Sequence, residues 1–132
     1  MAKLKVLLVD DDLDLLDVIG SRIGTWGTEV VLAVNGLEAL DKLKLEKPDI
    51  VILDYMMPQM SGVAVLKEIR KIDKKIPVVM FTAHPDVKSI EGTEKMGILA
   101  YIPKLSVYSD AQGALKAVMG AAAKQLKKDD LK

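Results

Sequence analysis

A handful of polar residues fall where chemistry is easiest to build. Asp10, Asp11 and Asp12 follow the apolar run Val6-Leu7-Leu8-Val9, and Asp54 closes Ile50-Val51-Ile52-Leu53. Thr82 follows Val78-Val79-Met80-Phe81, and Lys104 comes just after Leu99-Ala100-Tyr101-Ile102. If these runs are strands pointing the same way, carboxylates, a hydroxyl and an ammonium converge on one small volume. Crowded carboxylates repel one another and call for a hard divalent cation. Oxygen ligands without His or Cys favour Mg²⁺, which typically takes one or two carboxylates together with water and a phosphoryl oxygen. Asp54 is then a nucleophile toward phosphorus, forming an aspartyl phosphate. A loose phosphoryl-transfer transition state needs mainly positioning and charge neutralisation, which Mg²⁺ and Lys104 supply, with Thr82 hydrogen-bonded to the phosphoryl oxygens.

Each feature alone has a plainer explanation. Asp10-Asp11-Asp12 before a helix also reads as N-capping and dipole compensation. Asp54 could simply turn the chain out of a buried strand. Thr82 could be an ordinary loop residue and Lys104 a solvated one. Their joint placement at the ends of the first, third, fourth and fifth apolar runs is what favours a site.

The elements that must position them are marked by hydrophobic period. The first three runs are continuous rather than alternating, as in strands buried on both faces of a parallel sheet. Glu29-Val30-Val31-Leu32-Ala33 is a weaker candidate strand. Between the strands the period becomes helical: Leu15, Ile19, Ile23 and Trp26 share a face, as do Leu37, Leu40 and Leu43, and Val63, Leu66 and Ile69. Ala111, Leu115, Val118, Ala122 and Leu126 form the last and longest helix, and roughly 85–96 a thin fourth one weakened by Gly92 and Thr93. Asn35 with Glu38 reads as a capping box, Ser61 as an N-cap, Pro85 as a first-turn proline and Gly97 as a stop. The expected fold is α/β, a five-stranded parallel sheet of order 2-1-3-4-5, doubly wound with five helices in the flavodoxin-like manner. Ligands of such sheets bind beyond the carboxyl ends of the strands, at the switch in strand order.

Composition narrows the field. The chain of 132 residues suits one domain, expected over 1–132 with a frayed tail from about 127. Nineteen basic residues balance nineteen acidic ones, so no net field attracts nucleic acid or an anionic membrane. The absence of cysteine excludes disulfides and thiol chemistry, and it fits a reducing compartment. Without a signal-peptide pattern or an apolar run of membrane-spanning length, a soluble cytoplasmic protein is expected.

The residues resemble a known family. Leu8-Val9-Asp10-Asp11-Asp12, Asp54-Tyr55-Met56-Met57-Pro58-Gln59-Met60-Ser61-Gly62, Phe81-Thr82-Ala83, and Tyr101 with Lys104 resemble the receiver domain of two-component response regulators, in order and over essentially the whole chain. The resemblance implies Mg²⁺ held by Asp10, Asp11, Asp54 and the Met56 carbonyl, with Asp54 as the phosphorylated residue. It implies that Thr82, Ala83 and Lys104 bind the phosphoryl group, and that Thr82 and Tyr101 switch the face formed by the fourth helix, fifth strand and fifth helix. The implied donor is a sensor histidine kinase or phosphotransfer protein, with an output partner the sequence does not specify and a possible homodimer on phosphorylation. Such a domain is not an enzyme beyond catalysing its own phosphorylation and dephosphorylation. His84 resembles a position that tunes loss of the phosphoryl group, although a loop histidine before Pro85 reads as well. One departure is Leu105, where the family usually has proline after the lysine, with the peptide typically cis. The cost of a non-proline cis bond predicts a trans peptide here. Pro103 cannot donate to a sheet ladder and places the fifth strand at an edge.

Two other readings compete. A degenerate receiver would bind proteins without being phosphorylated. A dehalogenase-type phosphatase would use Asp10-x-Asp12, but Thr82-Ala83-His84 occupies the place of its further acidic pair. An EF-hand fails because Leu15 and Ser21 fall at its glycine and final glutamate positions.

Overall fold

A computed structural model describes residues 4–54, 57, 60–82, 97–98, 100–103 and 120, with the backbone alone at 81, 82 and 100–103. Its elements are β1 (Lys5–Val9), α1 (Leu13–Gly24), β2 (Glu29–Ala33), α2 (Gly36–Glu46), β3 (Ile50–Asp54), α3 (Gly62–Ile72), β4 (Val78–Thr82) and β5 (Ala100–Pro103). The strands form one parallel sheet in the order β2-β1-β3-β4-β5. The flavodoxin-like fold class and the strand order match expectation. The expected fourth helix, the fifth apart from Gly120, Pro85 and the tail lie outside the described residues.

The continuous apolar runs are explained by two cores. Along β1 and β3, Val6, Leu8, Ile50 and Ile52 face α1 and pack with Leu16, Ile19 and Ile23. Their neighbours Leu7, Val9, Val51 and Leu53 face the opposite way, against Ala39 and Leu43 of α2 and Val65, Leu66 and Ile69 of α3. Each strand residue is therefore buried whichever way it points. Burying one such side chain is worth about 1.5–3 kcal/mol, so the sheet centre is the most firmly held part of the molecule. The edge strand β2 is only partly covered, which explains its weaker apolar signal.

Helix boundaries follow local chemistry. Asp12 caps α1, and Ser61 caps α3 by accepting from the Ala64 amide at 3.2 Å. Asn35 accepts from the Glu38 amide at 2.8 Å as a capping box requires. The reciprocal arm differs, because Glu38 Oε1 accepts from the amide of Val34, at 3.3 Å, one residue before the cap. Gly97 has a positive φ of 74°, and the helix it is expected to stop lies outside the described residues.

Two helical faces differ from the periodicity reading. In α2 the buried positions are Gly36, Ala39 and Leu43, whereas Leu37 is 68% exposed. In α1 Leu16 takes the buried place expected of Leu15, which is only partly covered, and Trp26 lies past the helix end. Thr82 is the last residue of β4 rather than the first after it, and β5 begins at Ala100 and takes in Pro103. In the described residues β5 pairs with β4 alone, as its proline requires.

Arg70 links α3 to the loops below it, donating to the carbonyls of Ile76 at 2.8 Å and Gly97 at 3.1 Å. Burial pulls its guanidinium below the ordinary value, against the opposing charge of Asp73.

The α2–α3 contact generates a prediction. A Cβ at Gly36 would meet Val65 Cγ2 at 2.7 Å and Met60 Sδ at 2.8 Å. Met60 can swing aside, but Val65 is fully buried. Gly36→Ala is therefore expected to lose about 1–3 kcal/mol by overpacking, despite alanine's better helix propensity. Urea unfolding checks this: a midpoint that falls agrees, and one that rises shows that the helices part freely.

Candidate functional site

Parallel register brings the acidic residues together. Val9 of β1 pairs with Leu53 of β3, so the next step along both strands sets Asp10 beside Asp54. The Asp10 amide donates to the Ala33 carbonyl at 3.1 Å, extending the ladder one residue past β1 and fixing its backbone. Asp10 and Asp54 continue the rows Val6–Leu8 and Ile50–Ile52, so both belong to the α1 side of the sheet. Both are buried, with 1% and 2% of their surface exposed. Asp11, exposed, completes a group in which one carboxylate oxygen from each residue lies within 4.8 Å of the others. The group stands at the carboxyl ends of β1 and β3, where strand order reverses between β2 on one side and β3 on the other.

The energetics decide what such a group needs. Two ionised carboxylates at 4.8 Å repel by roughly 3 kcal/mol at an effective dielectric near 20. A helix N-terminus returns only about 0.3–1 kcal/mol. The start of α1 alone is therefore too weak to balance this repulsion, and the three carboxylates are placed so that they could hold a divalent cation. Hard oxygen donors, with no sulfur or imidazole among the three, suit Mg²⁺ and fit poorly with zinc or copper.

Asp12 does something else. Its Oδ1 accepts from the amides of Asp14 at 3.1 Å and Leu15 at 3.2 Å, so it is the cap of α1. Its own amide donates to Asp10 Oδ1 at 2.9 Å. Residue type alone offers capping and site function as alternatives for the whole triplet, while the resemblance implies metal binding for Asp10 and Asp11; the structure places Asp12 in the cap and Asp10 and Asp11 in the cluster. Residue type and spacing give no signal for the amide contact to Asp10, whereas an aspartate three residues before Leu15 carries the capping signal. A dehalogenase-type site would need Asp12 as its second acid, and that carboxylate is committed to the helix.

The other expected site residues are described less fully. The backbone of Thr82 ends β4, the strand beside β3, and Tyr101 lies in β5, so both belong to the same sheet. Met57 and Met60, after Asp54, are partly buried against the α2–α3 core. Met56, Ala83, His84, Lys104 and Leu105 lie outside the described residues, and with them the expected trans peptide.

Comparison with known proteins agrees with this geometry. Residues 6–118 match the family model described as response regulator receiver domain. The sporulation initiation phosphotransferase F of Bacillus subtilis is 32% identical over 112 residues, which cover 85% of this chain and 90% of that one. The probable transcriptional regulator ycf27 of Guillardia theta is 40% identical over 118 residues, 89% of this chain but 46% of the relative. The chain thus spans about half the length of some relatives and nearly all of another. Among solved structures, the chemotaxis protein CheY4 of Vibrio cholerae superposes with a TM-score of 0.81 at 28% identity, covering 89% of this chain and 98% of that one. No helix among the described residues is long and apolar enough to cross a membrane.

The cluster makes a thermodynamic prediction. Mg²⁺ that binds only the folded chain stabilises it by about 2.7 kcal/mol at a hundredfold excess over Kd, a rise of roughly 8 °C in Tm for a domain of this size. Asp11→Asn removes a charged ligand without disturbing the core and should abolish most of that rise. Equal Mg²⁺ responses of the two chains in thermal melts would remove Asp11 from the site.

Proposed function

The chain belongs to the response regulator receiver domain family, and on that footing we propose that Asp54 is the residue it phosphorylates, with Mg²⁺ bound beside it. Receiver domains are phosphoacceptor signalling modules of two-component systems rather than enzymes of the ordinary kind, and they work with histidine kinases or phosphotransfer proteins. The observation that carries the assignment to Asp54 is its burial at the carboxyl end of a central strand, within 4.8 Å of two further carboxylates.

In this reading an Asp54 carboxylate oxygen attacks the phosphorus of a phosphohistidine. An O–P bond forms, the P–N bond breaks, and its electron pair leaves on the imidazole, which takes up a proton. Asp11 and Asp54 would hold Mg²⁺ directly, Asp10 largely through water, and the Met56 carbonyl would complete the protein's share. The ion supplies neutralisation of charge on the phosphoryl oxygens. Lys104 pairs with a phosphoryl oxygen, and the Thr82 hydroxyl and Ala83 amide hydrogen-bond to the others. Hydrolysis by water later restores the Asp54 carboxylate and releases inorganic phosphate. Drawing Thr82 toward the phosphate lets Tyr101 turn inward, and this remodels the face that includes β5.

We read residues 1–132 as a single receiver domain. The reading puts the chain in the cytoplasm, the compartment that holds phosphohistidine donors charged from ATP. Its kinase, its output partner and any phosphorylation-dependent homodimer would be identified through the switched face.

Two experiments test this. Incubation with acetyl phosphate and Mg²⁺, followed by intact mass, should show one phosphoryl group on the unaltered chain and none on Asp54→Asn, whose fold persists. An adduct retained by the variant would move the acceptor elsewhere. No adduct on either chain would instead favour a module that binds partners without phosphorylation. Separately, a beryllofluoride complex should show Tyr101 rotated relative to the free protein; an unchanged Tyr101 would refute the switch.

A further inference from the structure

The Asp10 carboxylate must present a defined edge to a cation, and an aspartate side chain has two torsions to fix. One group that fixes them is the amide of Asp12, which donates to Asp10 Oδ1 at 2.9 Å. That amide is itself placed by the start of α1. Asp12 has an extended φ of −87° and ψ of 105°, and its carboxylate is drawn onto the helix by the amides of Asp14 and Leu15. The first helical hydrogen bond, from the Leu16 amide to the Asp12 carbonyl at 3.0 Å, fixes the same residue from the other side. Leu16 is buried in the α1 core and holds that turn against the sheet. A chain of contacts therefore runs from the core through the cap to one oxygen of the cluster.

We infer that Asp12 is a positioning residue for the Mg²⁺ site: by capping α1 it aims its own amide at Asp10 Oδ1 and so sets the orientation of the Asp10 carboxylate. Its carboxylate is turned to the helix, where Oδ1 accepts from the Asp14 and Leu15 amides, and Asp12 is not among the three residues whose oxygens converge within 4.8 Å. The inference rests on the metal reading of Asp10, Asp11 and Asp54. It differs from an electrostatic role, in which Asp12 would serve only by adding negative charge near the cation. Residues that orient metal ligands commonly change affinity when lost, even without touching the ion.

Substitution separates charge from cap. Asp12→Asn and Asp12→Ala both remove the charge, but only asparagine keeps an oxygen that can accept from the Asp14 and Leu15 amides. Mg²⁺ dissociation constants from isothermal titration calorimetry should be roughly tenfold weaker for Asp12→Ala than for Asp12→Asn. Asp12→Ser, which also caps, should bind like Asp12→Asn. The rise in Tm produced by Mg²⁺ should likewise be smaller for Asp12→Ala. A cap that merely holds the helix lowers Tm equally with and without Mg²⁺, so this increment is insensitive to a purely structural role. Should alanine prevent folding, Asp12→Gly serves in its place, because glycine tolerates the N-cap backbone while lacking the acceptor. Equal dissociation constants for the alanine (or glycine) and asparagine variants would overturn the inference. Absence of Mg²⁺ binding by the unaltered chain would overturn the metal reading itself, and this inference with it, so the two failures are distinguishable.

Discussion

Two buried carboxylates side by side repel, and here the backbone gives them little room to separate. Asp10 is tied into the sheet by its amide bond to Ala33, and Asp54 is the last residue of a strand whose every position is buried. The register of β1 against β3 sets the two together. A residue slip in either strand would carry one carboxylate to the opposite face and dissolve the cluster. That slip is resisted by the apolar rows on both faces, because it would also invert every buried side chain of the strand. The cores on the two sides of the sheet thus do more than stabilise the fold: they hold like charges in a position that the charges themselves disfavour.

The helices contribute at their first turns. α1 begins immediately beyond Asp10 and Asp11, and its cap residue reaches back to Asp10. α3 begins at the Ser61 cap, with Met57 and Met60 before it packed against the core. α2 supports from a distance, its glycine allowing close approach to Val65 and Met60. Mobile loops can carry ligands, but a cluster formed mainly at strand ends has its separation set by the sheet. Such preorganisation suits phosphoryl transfer, where the protein's task is placement and charge neutralisation rather than covalent chemistry on many groups.

Much of this was legible from residue type and spacing. Continuous apolar runs on β1, β3 and β4 marked strands covered on both faces, and the aspartates at the ends of β1 and β3 marked the acidic cluster. Pro103 marked an edge strand, since it has no amide to donate. What the sequence did not disclose depended on how close elements approach. Leu37 reads as core by type, yet the neighbouring helix comes up against Gly36 and Ala39, leaving Leu37 in solvent. Leu16 and Leu15 are adjacent leucines whose roles only the orientation of α1 on the sheet assigns. Residue type alone does not divide the Asp10–Asp11–Asp12 triplet between cluster and cap, because all three carry the same side chain; only the family resemblance singles out Asp10 and Asp11. Their difference is one of backbone direction at the end of β1.

The central claim is that Asp10, Asp11 and Asp54 form one cation site. Its most direct test is a crystal structure of the chain grown with Mn²⁺ in place of Mg²⁺, with the ion located by its anomalous scattering. The account predicts a single strong peak at the carboxyl ends of β1 and β3, within coordination distance of Asp11 and Asp54, with Asp12 still on its helix. A peak elsewhere on the molecule, or none at saturating Mn²⁺ with the three carboxylates in place, would contradict it.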